Sequence, residues 1–255
     1  MKNKIFALLQ ARTDSTRLPR KVLRDILKKP MIIHQLERTT KSKYIDKLLL
    51  LTSEENSDDE LSRVVENYGF IVYRGNKNNV LERFFKSVEK YNLSNGDILV
   101  RLTGDCPLHD STIIDESIKA FIKGEYDYLS NCVSPVYPDG LDVEVFNFKA
   151  LKLAYENSKK QSELEHVTPY IRNNSDLKIK NLDKTPIYPQ WRLTVDEESD
   201  FTLITKIYEY FNSTYFSFKD TIKYLEKNTH LLELNSSINR NEGYKNSLKE
   251  DKNDN

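Results

Sequence analysis

Between Ile5 and Leu129, short apolar runs alternate with stretches whose apolar residues recur at helical spacing, and this alternation restricts the fold more than any other feature of the chain. The runs at 5–9, 46–52, 70–73, 97–102 and 126–129 read as strands. Between them, 31–40 carries Met31, Ile32, Ile33 and Leu36 at helical spacing, and 57–69 opens with Ser57 and Glu60 at capping-box distance and closes at Gly69. Residues 79–91 gather Val80, Leu81, Phe84, Phe85, Val88 and Tyr91 on one face, and Ser111 caps a helix reaching about 122. Strand and helix alternating at this period require right-handed crossovers, so the expected fold is α/β, with a mostly parallel central sheet flanked by helices on both faces.

The pattern changes at Ser134. Residues 134–140 are loop chemistry, and 142–146 alternate polar and apolar residues as a half-exposed strand does. Helices are expected at 147–157 and 162–173, the second with a Ser162/Glu165 capping box and Pro169 inside it. Strands at 177–182 and 190–195 and helices at 199–211 and 217–227 follow. The organisation predicted is one domain over 1–235, with a small antiparallel excursion at 134–182. The segment 236–255 has too little apolar content to offset its ordering entropy and reads as a frayed, disordered tail.

Lys plus Arg and Asp plus Glu balance at 39 each, so no global field favours nucleic acid or an anionic membrane, and any anion site must be local. No apolar run approaches the roughly 18 residues of a membrane span, and the five apolar residues after Lys4 are too few for a signal peptide. Cys106 and Cys132 fit neither a zinc-ligand spacing nor a disulfide framework, which points to a reduced cytoplasmic setting.

The first strand opens into a loop that packs Arg12, Arg17, Arg20 and Lys21 among small hydroxylated residues and Pro19. Ligands of open α/β sheets bind at the carboxyl ends of strands, and such a loop suits a polyphosphate there; the plain alternative is a solvated basic surface. Asp105 follows the strand at 97–102 across Thr103 and Gly104, so it is either a turn residue or a ligand for a hard cation. Asp196 ends the expected strand at 190–195 and is either helix-capping chemistry or a second carboxylate for that cation. Mg²⁺ needs only one or two carboxylates when substrate phosphate and water supply its remaining ligands. Cys106, His109 and Asp110 do not constitute a nucleophilic triad merely by adjacency. His34 reads as structural, whereas His166, on a helix that Pro169 penalises, reads as either structural or functional.

Gln10-Ala-Arg-Thr-Asp-Ser-Thr-Arg-Leu-Pro-Arg-Lys21, Lys29-Pro-Met-Ile-Ile-His34, Val80-Leu-Glu-Arg83, Arg101-Leu-Thr-Gly-Asp-Cys-Pro107, Asp139-Gly-Leu-Asp-Val-Glu-Val145, Glu165-His-Val-Thr-Pro169 and Leu193-Thr-Val-Asp196 come in this order. Together they resemble the sugar cytidylyltransferases, most of all the SpsF-type spore-coat polysaccharide proteins, relatives of the CMP-Kdo and CMP-acylneuraminate synthetases. The resemblance implies a Rossmann-like GT-A nucleotidyltransferase fold and transfer of CMP from CTP to an acidic or phosphorylated sugar-like acceptor, with release of pyrophosphate, in surface polysaccharide or glycoconjugate biosynthesis. By the same resemblance, Arg12, Ser15, Arg17 and Lys21 would hold the triphosphate, with Gln10, Ala11, Arg83, Thr103 and Gly104 completing the nucleotide site. Asp105 and Asp196 would hold Mg²⁺ and, with Lys21 and Arg17, carry catalysis. Asp139, Asp142, Glu144, Glu165 and His166 would face the acceptor or a partner subunit, since relatives are often homodimers that exchange an antiparallel extension.

Loops of this kind commonly place glycine where this chain has Asp14 and Arg20. Asp14 brings a negative charge toward a polyphosphate, so the loop either turns it onto Arg12 or Arg20 or binds CTP less well. The residues also leave open a GT-A glycosyltransferase consuming a preformed nucleotide sugar, and a catalytically weak or non-enzymatic relative.

Overall fold

The computed structural model of the protein describes residues 2–240 together with Tyr244, Ser247, Leu248 and Asp251. Its strands are β1 (Ile5–Gln10), β2 (Asp25–Ile26), β3 (Lys29–Pro30), β4 (Lys47–Ser53), β5 (Ile71–Gly75), β6 (Ile98–Thr103), β7 (Tyr128–Ser130), β8 (Glu144–Asn147) and β9 (Ile179–Asn181). Its α-helices are α1 (Met31–Thr39), α2 (Asp59–Asn67), α3 (Val80–Glu89), α4 (Ser111–Gly124), α5 (Phe148–Asn157), α6 (Gln161–His166), α7 (Pro169–Asn173), α8 (Glu198–Phe211) and α9 (Phe218–Lys227).

β1 is apolar from Ile5 to Leu9 because it lies inside a sheet covered on both faces. Ile5, Ala7 and Leu9 enter one layer with residues of α1, α2, α4 and α8, while Phe6 and Leu8 enter the other with α3, α5 and α7. The sheet order is β5-β4-β1-β6-β8-β7-β9, with β1, β4, β5 and β6 mutually parallel, and β2 and β3 form a separate antiparallel pair. The mostly parallel, two-sided α/β architecture is therefore the one the alternation predicts.

The antiparallel element after Ser134 is β8, inserted between β6 and β7 within the main sheet. The half-exposed reading of 142–146 fails there, because neighbours on both sides bury Glu144, Val145 and Phe146. The helix expected at 162–173 is two short helices. Val167 takes φ 70° between them, and Pro169 opens α7, the one helical position where its missing N–H costs nothing. The Ser162/Glu165 box does not form; Glu163 instead accepts from the Lys159 and Lys160 N–H groups at the start of α6, at 3.1 and 3.2 Å.

The segment 190–195 forms no strand; only Arg192 makes an isolated parallel bridge, to Asp139. Its backbone bonds run to loops instead, Leu193 N–H to Asp139 O at 2.7 Å and Val195 N–H to Asp105 O at 2.8 Å. Asp110, not Ser111, caps α4 by accepting from Thr112 N–H at 2.8 Å. The Ser57 cap also fails: Asp58 stands at that end of α2, its carboxylate turned onto Thr13. The tail expected over 236–255 lies partly outside the described residues. Of those described, Arg240 pairs with Asp142, and Ser247 lies 3.0 Å from His166 Nε2.

Candidate active site

The carboxyl ends of β1 and β6 are adjacent in the sheet, and both open into a cavity of about 680 Å³. Gln10, Ala11, Arg12, Ser15, Arg17 and Lys21 line it from the first loop, Thr103, Gly104 and Asp105 from the second, and Arg83 from α3. Asp139, Asp142, Glu144, Glu165, His166 and Asp196 line it as well, so the residues that the resemblance assigns to the site share one cavity, while Arg20, His34, His109 and Asp110 lie outside its lining.

The cationic loop is pinned from beneath. Asp58 Oδ1 accepts from Thr13 N–H and Thr13 Oγ1, each at 2.8 Å, while its other oxygen takes Ser53. Burial pushes the Asp58 carboxyl up, but these donors outweigh it and hold it below its usual range. The second loop packs on the first so closely that a Cβ on Gly104 would fall 2.6 Å from the Ala11 Cβ, and Gly104 N–H donates to Gln10 O at 2.7 Å.

Across the cavity, Lys21 donates to Asp196 Oδ1 at 2.8 Å and to Val195 O at 2.6 Å, and lies 4.0 Å from Asp105 Oδ2. Arg17 reaches Asp196 Oδ2 at 3.1 Å and Arg192 reaches it at 2.8 Å. Burial raises the Asp196 carboxyl, but Lys21, Arg17 and Arg192 more than reverse that and bring it down to about 2. Arg192 is itself fixed by Asp200, at 2.9 and 3.0 Å, and by Asp139 at 3.1 Å. Asp200 also accepts from the Asp196 and Glu197 N–H groups at the start of α8, so one buried carboxylate aligns both the helix and the arginine.

Asp105 and Asp196 are hard oxygen donors on facing loops, a donor set that fits a Mg²⁺ ion sharing its remaining positions with phosphate and water. Among the described residues no three His, Cys, Asp or Glu side chains form a cage for a metal.

At the far end, Glu144 is held on both oxygens: Tyr128 and Thr168 each donate to Oε1 at 2.6 Å, and Arg101 pairs with Oε2. Asp139 and Asp142 lie beside each other and beside Arg192 and Arg240. Burial and the neighbouring Asp142 raise the Asp139 carboxyl to about 7 against the pull of both arginines. His166 faces the Tyr244 ring, with 5.0 Å between centroids, and Ser247 Oγ lies 3.0 Å from Glu165 Oε2.

The two irregular loop positions resolve differently. Asp14 turns onto Arg12 at 3.1 Å and onto Lys77 at 2.8 Å, and its backbone keeps a negative φ. Arg20 occupies the left-handed region, φ 58° and ψ 20°, where glycine would be unstrained, and its guanidinium points out to Glu60 at 2.6 Å.

His109 is buried between Gln35 at 2.9 Å and Asp142 O at 3.0 Å, and burial lowers it to about 4, so it is no base for Cys106. His34 is held by Thr214 and Ile26 O, at 2.9 and 2.7 Å, as a structural residue. Sequence reasoning missed Arg101, Arg172 and Arg192 as wall residues. The first and last carried a local signal, since Arg101 precedes Asp105 by four positions and Arg192 precedes Asp196 by four.

The model of the family described as Cytidylyltransferase matches residues 6–238. An uncharacterized protein of Methanocaldococcus jannaschii is 34% identical over 92% of this chain and 96% of its own. The spore coat polysaccharide biosynthesis protein SpsF of Bacillus subtilis is 35% identical over 81% of this chain and 87% of its own. Among solved structures, a cytidylyltransferase from Leptospira borgpetersenii superimposes with a TM-score of 0.86 at 33% identity, covering 94% of this chain and 100% of that one.

Proposed function

The chain belongs to the cytidylyltransferase family and is a CTP-dependent nucleotidyltransferase, and on that premise we propose that it transfers CMP to an acidic or phosphorylated sugar-like acceptor for surface polysaccharide or glycoconjugate biosynthesis. The observation that carries this reading is the position of Lys21, at the end of the cationic loop and between Asp196 and Asp105. A triphosphate entering along Arg12, Ser15 and Arg17 meets the Lys21 ammonium and both carboxylates at one point of the cavity.

In the reaction, an acceptor hydroxyl oxygen forms a bond to the α-phosphorus as the bond from that phosphorus to the bridging oxygen breaks. Pyrophosphate leaves with the electron pair, and the hydroxyl proton passes to solvent or to phosphate. Arg17 and Lys21 turn from Asp196 to the β- and γ-phosphates and stabilise the negative charge that accumulates there. Gly104 lets the Asp105 loop approach the cationic loop, which holds the reacting groups in line. Asp105 and Asp196 would hold Mg²⁺, which would supply neutralisation of charge on the α-phosphate. Asp139, Asp142, Glu165 and His166 form the acceptor end, while Glu144, its oxygens already taken, holds Arg101 in position. The two unpaired cysteines support a cytoplasmic setting. A homodimer remains part of the proposal through the family likeness alone.

The test is pyrophosphate release from CTP and Mg²⁺ in the presence of 3-deoxy sugar acids, other sugar acids and sugar phosphates, with UTP in parallel. Release that requires CTP and one acceptor class supports the proposal. Transfer of a sugar from a preformed nucleotide sugar, with no pyrophosphate from CTP under any acceptor, overturns it.

A further inference from the structure

Four arginines stand at the acceptor end, and three of them are committed to carboxylates. Arg192 is spent on Asp139, Asp196 and Asp200, and Arg240 on Asp142, while Arg101 binds Glu144 through Nη1. Arg172 differs. Among the described residues its guanidinium has no hydrogen-bond or ion-pair partner, and what it faces is the Tyr244 ring, 5.2 Å from its central carbon. It lines the cavity on α7, the short helix that Val167 and Pro169 set apart from α6.

A partly buried guanidinium with open donors loses hydration without recovering it from the protein, and an oxyanion restores that loss through a bidentate pair. Glu144 does not do so: its oxygens take Tyr128, Thr168 and Arg101, and no bond runs from it to Arg172. It acts on Arg172 only through space, which keeps the guanidinium charged.

We infer that Arg172 anchors an oxyanion, carboxylate or phosphate, on the acceptor, and so selects acceptors that carry such a group. The inference rests on the cytidylyl-transfer reading. It adds a specificity-determining residue that lies outside the quoted motifs.

The test uses the full chain loaded with CTP and Mg²⁺, so that the triphosphate site is filled. Calorimetric titration with inorganic phosphate and, separately, with glycolate, ionic strength held by sodium chloride, compares the wild type with Arg172→Met and Arg172→Lys. The expected result is anion binding by the wild type that weakens at least tenfold in Arg172→Met and partly recovers in Arg172→Lys. A preference for phosphate points to sugar phosphates and one for glycolate to sugar acids. No anion binding by the wild type, or equal binding in Arg172→Met, overturns the inference. CTP affinity in the same samples reports folding; if Arg172→Met fails to bind CTP, the decision passes to Arg172→Lys, whose anion affinity must fall at least threefold. Failure of the wild type to bind CTP would strike the functional reading instead.

Discussion

Lys21 donates to Asp196 at 2.8 Å, a contact that joins the first loop of the chain to the loop before α8. Asp196 keeps Arg17 and Arg192 if Lys21 is removed, so the loss falls on the reaction more than on the fold. Lys21→Ala is expected to lower kcat for pyrophosphate release by about 10²- to 10³-fold, the size typical of one lost charge-stabilising group. Freeing Val195 O costs stability of about 1–2 kcal/mol. Asp105→Ala should lower the rate similarly and unfold within a few degrees of the wild type. Wild-type rates in either variant would remove these residues from catalysis.

The same cluster fixes an acid limb of stability. The folded Asp196 carboxyl, at about 2, lies below the ordinary aspartate value, so the unfolded chain binds the proton more readily. The stabilisation is therefore present above about pH 4 and is lost as pH falls through about 2. Its size at neutral pH is about 2 kcal/mol. Asp196→Asn should lower the unfolding free energy at pH 7 by roughly that amount, while the difference from wild type shrinks toward pH 2. Urea unfolding at the two pH values checks this, and a pH-independent difference would contradict it.

Much of this arrangement is legible in the chain because the parallel sheet imposes it locally. Ile5 to Leu9 must be apolar on both faces, and the residues that follow such a strand must lie at the sheet's carboxyl edge, which is why Arg12, Lys21 and Asp105 converge. Glu144 misleads because a carboxylate in an alternating strand looks solvent-facing. Only the fold supplies the Arg101, Tyr128 and Thr168 that make its burial tolerable. Residues 190–195 have strand composition but bond to the Asp105 and Asp139 loops, partners no periodicity reveals. Arg172 is illegible for the opposite reason, since its distinction is the absence of a partner among the described residues, and sequence shows composition rather than pairing.

Arg20 offers a separable test of the loop. It holds a left-handed backbone at some strain, its side chain pairs with the exposed Glu60, and it does not line the cavity. Arg20→Gly should stabilise the protein by up to about 1 kcal/mol by relieving that backbone, offset in part by the greater freedom of glycine in the unfolded chain. The KM for CTP should stay within about twofold, since a cation outside the cavity contributes only through screened solvent. A larger loss of CTP affinity would place Arg20 on the phosphates.

Asp14 acts inside the cavity by holding Arg12 and Lys77. Asp14→Asn releases both cations and removes a negative charge that a triphosphate must approach. The expected outcome is CTP binding tighter by about three- to tenfold at low salt, with a steeper decline as ionic strength rises. Titrations at two salt concentrations measure both effects. Weaker binding in Asp14→Asn would mean that Asp14 positions Arg12 for the phosphates and does not restrain it.

Gly104 decides how closely the two loops meet. An added methyl would stand 2.6 Å from the Ala11 Cβ and 3.0 Å from Gln10 O, and the latter is backbone that cannot swing aside. The Asp105 loop must then withdraw from Lys21, and the Gly104 N–H bond to Gln10 O lengthens with it. Overpacking of this kind costs about 1–3 kcal/mol. The effect on catalysis should be larger, because a displacement near 1 Å in a positioned reaction costs on the order of 10²-fold. Gly104→Ala is therefore expected to remain folded at 25 °C, to bind CTP within about tenfold of wild type, and to lose about 10²-fold in kcat. Parallel kinetics and thermal unfolding separate the two effects. If activity falls only as far as the folded fraction does, the close approach of the loops serves packing alone.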